Sequence, residues 1–240
     1  MKSVSTICCS PRGGVANLNS PRNMIVIAFS GVAGSGKTTL VRSLVQRLPD
    51  SSSLFSDDYS PVAIGWPLYR HLELSASDML QKWFDEECPA DGYGSWPKLV
   101  DDLQSLRDGR TIFTPVYAQE GGEQEIRAAK YLFLEDCWAH RSEMHGLVDH
   151  YVHIHVPLDI ALARFIQRQI GQKADIPALL ALYQDQNHRY CRVVNEPRNH
   201  HDLVLDGMKS VDDLASDVIK WMDEGCLKTP ISVRDGCETK

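Results

Sequence analysis

The most specific chemistry in the sequence lies in eight residues, Gly31-Val32-Ala33-Gly34-Ser35-Gly36-Lys37-Thr38, which read G-x-x-x-x-G-K-T. Glycines at these places let backbone N–H groups turn inward around phosphate oxygens with no Cβ in the way. A helix that starts here adds its unpaired N–H groups and the positive end of its dipole. Lys37 offers a mobile charge for β- and γ-phosphates, and Thr38 a hydroxyl for Mg²⁺. The residues expected to cradle the phosphates are Gly31, Ala33, Gly34, Ser35, Gly36, Lys37, Thr38 and Thr39. A glycine turn with an incidental lysine is the plain alternative, and the flanking elements decide against it. Met24 to Phe29 is a β-branched apolar stretch suited to a buried parallel strand, and Leu40, Val41, Leu44, Val45 and Leu48 recur at helical spacing.

Carboxylates supply the next candidates. Ser53 to Ser56 reads as a second strand ending in Asp57-Asp58-Tyr59-Ser60-Pro61. Ligands of open parallel sheets sit at the carboxyl ends of strands, which points these acids toward the phosphate site. An Asx turn before proline is the commoner meaning of such a run by itself. Tyr131 to Asp136 is an apolar strand capped by Glu135 and Asp136, the place expected for a carboxylate that orients hydrated metal. Arg164 and Arg168, four apart, share one face of a helix over Pro157 to Arg168. They suit charge neutralisation over a transferring phosphoryl group, or equally a solvated helix face.

Further elements must position these groups. Helices are expected over Ser75 to Glu87, Pro97 to Leu106, Ile176 to Val194 and Val211 to Met222. Arg110 to Tyr117 reads as a short extended piece followed by a polar loop through Glu123. Strands are expected over Asp149 to Pro157 and Asp202 to Gly207. His150, His153 and His155 lack zinc-site spacing and read as polar residues near a sheet edge. The aromatics Trp66, Tyr69, His71, Trp83, Phe84, Tyr93 and Trp96 read mainly as core or lid packing. Alternating strands and helices predict one doubly wound α/β domain over 23–224, between a tail at 1–22 and another at 225–240.

The bulk numbers narrow the class. With 240 residues and 43% apolar content, the chain can bury a real core. A net charge of −7 argues against a nucleic-acid-coating surface. No run approaches the ~20 apolar residues that cross a bilayer. Seven cysteines show no C-x-x-C pair, which suits reduced thiols in a cytoplasmic setting. Residues 1–22 lack the apolar segment of a secretory signal.

Taken together the motifs resemble the P-loop small-molecule kinases of the uridine kinase, phosphoribulokinase and nicotinamide riboside kinase group, over about residues 24–222. The resemblance rests on the P-loop, on Asp57-Asp58-Tyr59 after the second strand, on Pro115-Val116-Tyr117, on Leu134-Glu135-Asp136 and on the arginines of Ala163 to Arg168. It implies the P-loop NTPase three-layer sandwich, with a central parallel sheet and a helical lid. It also implies ATP and Mg²⁺ as cofactors, with γ-phosphoryl transfer to a hydroxyl of a nucleoside-, sugar- or vitamin-like metabolite. Asp57 then acts as general base beside Lys37, Arg164 and Arg168; Thr38, Asp57 and Glu135 hold the metal; and Asp57, Tyr59, Tyr117, Arg127 and Glu135 contact the acceptor. Ala118 stands where uridine kinases have Asp, and their pyrimidine-contacting His has no counterpart. The expected partner is the small acceptor, with no nucleic acid or membrane, in a monomer or homodimer. A GTPase would carry an N/T-K-x-D motif, which is absent, and an ABC-type ATPase a signature sequence, also absent. A non-catalytic or regulatory nucleotide-binding protein shares the motifs and is the alternative.

Overall fold

A computed structural model describes residues 24–59, 97–116, 122–137, 139–140, 142–171, 176–177, 180 and 201–224. The expected tails, the helix over 75–87 with its aromatics, Tyr117 and nearly all of the helix over 176–194 lie outside the described residues.

Five parallel strands form the central sheet: β1 (Ile25–Ser30), β2 (Ser51–Phe55), β5 (Tyr131–Glu135), β6 (His150–His155) and β7 (Leu203–Asp206), in the order β2-β5-β1-β6-β7. Between β2 and β5 the chain makes helix α2 (Pro97–Arg107) and an antiparallel hairpin of β3 (Ile112–Pro115) and β4 (Glu123–Ile126). Also among the described residues are helices α1 (Lys37–Arg47), α3 (Leu158–Gly171) and α4 (Val211–Asp223).

Period-two alternation divides the strands between two cores. Ile27, Phe29, Phe133, Val152 and Ile154 face α1 and α4, where Leu40, Val41, Leu44, Leu214, Val218 and Trp221 meet them. Val26, Ala28, Leu54, Leu132 and Leu134 face α2 through Leu99, Leu103 and Leu106. Parallel strands covered on both faces read as continuous apolar runs, which is why β1 and β5 are so plain in the sequence. Leu40, Val41 and Leu44 are wholly buried, and each such side chain contributes about 1.5–3 kcal/mol. The helix on the first core is therefore fixed firmly beneath the glycine loop.

Two expectations need correction. The piece after Gly109 is half of a hairpin whose partner, β4, begins at Glu123, where the expected polar loop ends, in a stretch for which no element is expected. Its Glu123-Gln124-Glu125 run carries no apolar alternation; pairing with β3, and Ile126 turned into the second core, make it a strand. The histidines of β6 are not edge residues either. That strand lies between β1 and β7, so His150 and His153 are buried, and only His155 is exposed. Among the described residues no helix is long and apolar enough to cross a membrane.

Candidate active site

Register brings the chemistry to one rim. Glu135 at the end of β5 is level with Phe29 of β1 and Phe55 of β2. The glycine loop leaves β1 one residue after Phe29, and Asp57 follows Phe55 by two. One cavity of about 400 Å³ is lined by Lys37, Thr38, Asp57, Glu135, Arg164 and Arg168, with Ala33, Gly34, Ser35, Gly36 and Thr39 on its loop side.

The start of α1 is built to receive an anion. Gly36 precedes it at φ 100° with no side-chain cap, and its first turn holds no acid. Helix α4 shows the ordinary solution: Ser210 caps Asp213 N–H, and Asp212 and Asp213 occupy the first turn. Gly34, at φ +85°, lets the loop meet α3: a Cβ there would lie 2.2 Å from the Ala161 carbonyl oxygen. The helix carrying Arg164 and Arg168 is thus seated on the glycine loop itself.

Lys37 is buried, donates to the carbonyls of Gly31 (2.8 Å) and Val32 (3.2 Å), and lies 3.6 Å from Glu135 Oε1. Thr38 Oγ1 donates to Glu135 Oε2 at 3.4 Å. Burial pushes the Glu135 carboxyl up to about 7; Lys37 opposes this, while Asp57 and Asp136 add to it. Asp57 is exposed on the cavity wall, whereas its neighbour Asp58 is buried and accepts from Gln124 Nε2 at 3.0 Å. Of the two adjacent carboxylates, only the first faces the phosphate loop.

Arg164 is half-buried and donates to the Gly207 carbonyl at 2.9 Å; Arg168 is exposed, its guanidinium 5.6 Å from the Phe165 ring centroid. Five further residues on the cavity wall were not read from the sequence as site residues: Cys137, Val211, Leu214, Gly207 and Lys209. The last two follow β7, at the same sheet rim, and that position was the one signal for them. Burial pushes the Cys137 thiol up to about 12 against the pull of Lys37, which keeps it protonated and unreactive.

Two expected acceptor contacts fall elsewhere. Tyr59 is 2% exposed, and its hydroxyl donates to Asp102 Oδ2 at 2.8 Å, so it braces the turn instead of lining the cavity. Arg127 points to solvent and pairs with Glu125 at 2.6 Å. Tyr117 lies outside the described residues.

No protein-family model and no curated protein matches the chain. Among solved structures it is similar to a protein provisionally assigned as a fructose transport system kinase from Silicibacter sp., at 16% identity over 78% of this chain and 92% of that one, with a TM-score of 0.54. The fold is that of the P-loop NTPases. Weaker likenesses are to a provisionally assigned uridine kinase from Bacillus stearothermophilus (20% identity, 77% of this chain and 89% of that one, TM-score 0.48) and a gluconokinase from Sinorhizobium meliloti (13%, 86% and 96%, 0.48). At such identities the P-loop NTPase likeness establishes architecture, and activity must be argued from the site.

Proposed function

We propose that the protein transfers the γ-phosphoryl group of ATP to a hydroxyl of a small nucleoside-, sugar- or vitamin-like metabolite. The observation that carries this reading is the placement of Asp57 and Glu135 on the wall of one cavity with the phosphate loop, while Asp58 is turned away and bonded. A binding protein needs the loop; the second carboxylate facing it is what proton abstraction requires.

In this reading the loop amides, the uncapped start of α1 and Lys37 hold the β- and γ-phosphates. A hydroxyl beside a carboxylate is a hard-oxygen donor pair, so Thr38 and Glu135, with Asp57, fit Mg²⁺ that keeps most of its water and phosphate ligands. Bound there, Mg²⁺ supplies charge neutralisation across the phosphates. Asp57 accepts the proton of the attacking hydroxyl, and Arg164 and Arg168 close the far wall against water and balance the charge on the transferred group. The Silicibacter protein's assignment as a kinase agrees with this reading.

The test is single-turnover transfer of labelled γ-phosphate from Mg·ATP into an extract of small metabolites. Wild-type protein should label an alcohol acceptor, and Asp57→Asn should slow transfer by ~10²–10⁴-fold with ATP affinity nearly constant. Tight ATP binding with no transfer into any fraction would overturn the proposal.

A further inference from the structure

Asp57 sits on a single 3₁₀ turn, Ser56–Tyr59, too short to be rigid by itself. What fixes the turn are the two residues that follow the base, both buried and each tied to a different element. Asp58, 5% exposed, accepts from Gln124 Nε2 on β4 at 3.0 Å across 66 residues of chain. Tyr59 donates to Asp102 Oδ2 on α2 at 2.8 Å, and the same oxygen takes Lys98 Nζ at 2.6 Å. The Lys98 ammonium lies 5.6 Å from the Tyr59 ring centroid and reaches the Phe113 carbonyl of β3 at 3.4 Å. Burial, then Asp102, holds the Tyr59 hydroxyl far above its usual range, so it stays a donor at every working pH.

We infer that Gln124 and Asp102 are positioning residues for the base: the hairpin and α2 hold the Asp58–Tyr59 pair, and through it set where the Asp57 carboxylate points. A turn meant only to connect two elements has no need of a buried carboxylate, because burying one costs free energy unless it is bonded. Here that carboxylate is next to the base and answers to a side chain on a separate two-stranded sheet. Displacement of the hairpin is therefore carried to Asp57 through one covalent neighbour, Asp58, and one hydrogen bond. Misplacing a reacting group by about 1 Å costs on the order of 10²-fold in rate, so a small loosening is enough to register.

This inference rests on Asp57 being the base, and the experiment separates the two. Gln124→Leu keeps the bulk and removes the donor; Asp102→Leu removes the acceptor, and Asp102→Asn restores it without the charge. Each is measured in the same transfer assay, with Mg·ATP and the metabolite extract, alone and combined with Asp57→Asn. The expected result is a 10–100-fold fall in the single-turnover transfer rate for Gln124→Leu and Asp102→Leu, a smaller fall for Asp102→Asn, and ATP-analogue affinity within about twofold of wild type. In the Asp57→Asn background the Gln124→Leu change should cost nothing more, because its effect passes through that carboxylate. A purely structural role predicts equal losses in both backgrounds, and that outcome overturns the inference while leaving Asp57 as base. Undiminished transfer by Asp57→Asn alone overturns the base assignment, and the inference falls with it. Should Gln124→Leu fail to fold, Asp102→Leu against Asp102→Asn carries the same comparison.

Discussion

Replacing Gly34 and Gly36 by alanine, one at a time, measures how firmly α3 is seated on the phosphate loop. Both glycines have positive φ, +85° and +100°, so each substitution pays the left-handed backbone cost of about 1–2 kcal/mol. They differ in what the new methyl meets. Nothing lies within 4 Å of a Cβ on Gly36, whereas one on Gly34 falls 2.2 Å from the Ala161 carbonyl oxygen. That oxygen belongs to helix backbone and cannot swing aside, so loop and helix must part by roughly 1 Å, an overpacking that costs a further ~1–3 kcal/mol. In a domain of this size each kcal/mol lowers Tm by ~2–4 °C. Calorimetry should therefore place Gly34→Ala below Gly36→Ala by several degrees. Equal melting temperatures for the two variants would show that α3 does not rest on the loop, and would remove the physical link between the loop and Arg164.

Two titration experiments follow from the buried acids. Because burial raises Glu135 above its ordinary value of 4.5 to about 7, the native state keeps this proton longer than the unfolded chain does. Its effect on stability is most favourable below pH 4.5 and declines as pH rises through 7, so Glu135→Gln should gain on wild type between pH 5 and pH 8 in urea denaturation. A difference that does not change with pH would refute the desolvation account. Asp202 shifts the other way: burial pushes its carboxyl up, but the His150 imidazole, 3.7 Å away, and a hydrogen bond from the Tyr151 N–H (2.8 Å) outweigh this and leave it below its usual value. That stability is present above pH 3.8 and lost as pH falls beneath it, so Asp202→Ala should lower stability at pH 7 and progressively less in acid. An equal cost at pH 7 and pH 3 would sink it.

The parts of the site legible in the sequence are those whose chemistry dictates residue type at fixed spacing. Gly31 to Thr38 could be read because phosphate needs glycines, a lysine and a hydroxyl in that order, and β1 because both its faces are buried. Glu135 was legible as the acid that ends an apolar strand, and Asp57 as one that follows a short strand. What stayed hidden depends on partners far away in the chain. Gln124 carries no signal of its own until Asp58 is set beside it, and Tyr59 looks like an acceptor contact until α2 brings Asp102 to its hydroxyl. The histidines of β6 read as edge residues because nothing in one strand's sequence says that β7 will cover it. Ser30, His153 and His201 in fact form one buried-to-half-buried contact, with Ser30 Oγ 3.1 Å from His153 Nδ1 and 3.3 Å from His201 Nε2.

Among the described residues, several departures from local stability meet at one cavity. Helix α1 begins without a cap, forgoing ~1 kcal/mol that Ser210 supplies to α4 by ordinary means. Gly34 and Gly36 surrender backbone entropy, and Lys37 with Glu135 places an amine and an acid in a buried pair whose desolvation offsets their attraction. Gly34, Gly36, Lys37 and Glu135 belong to neither of the two cores that pack the five-stranded sheet. Departures from local stability that gather around a single cavity are expected where a ligand supplies the missing interactions. Phosphate oxygens would engage the free N–H groups of α1 and draw Lys37 from the Gly31 and Val32 carbonyls, and Glu135, relieved of that pairing, would be left to hold a hydrated cation. In the proposed function, the energy withheld from the folded chain would be recovered when the triphosphate binds.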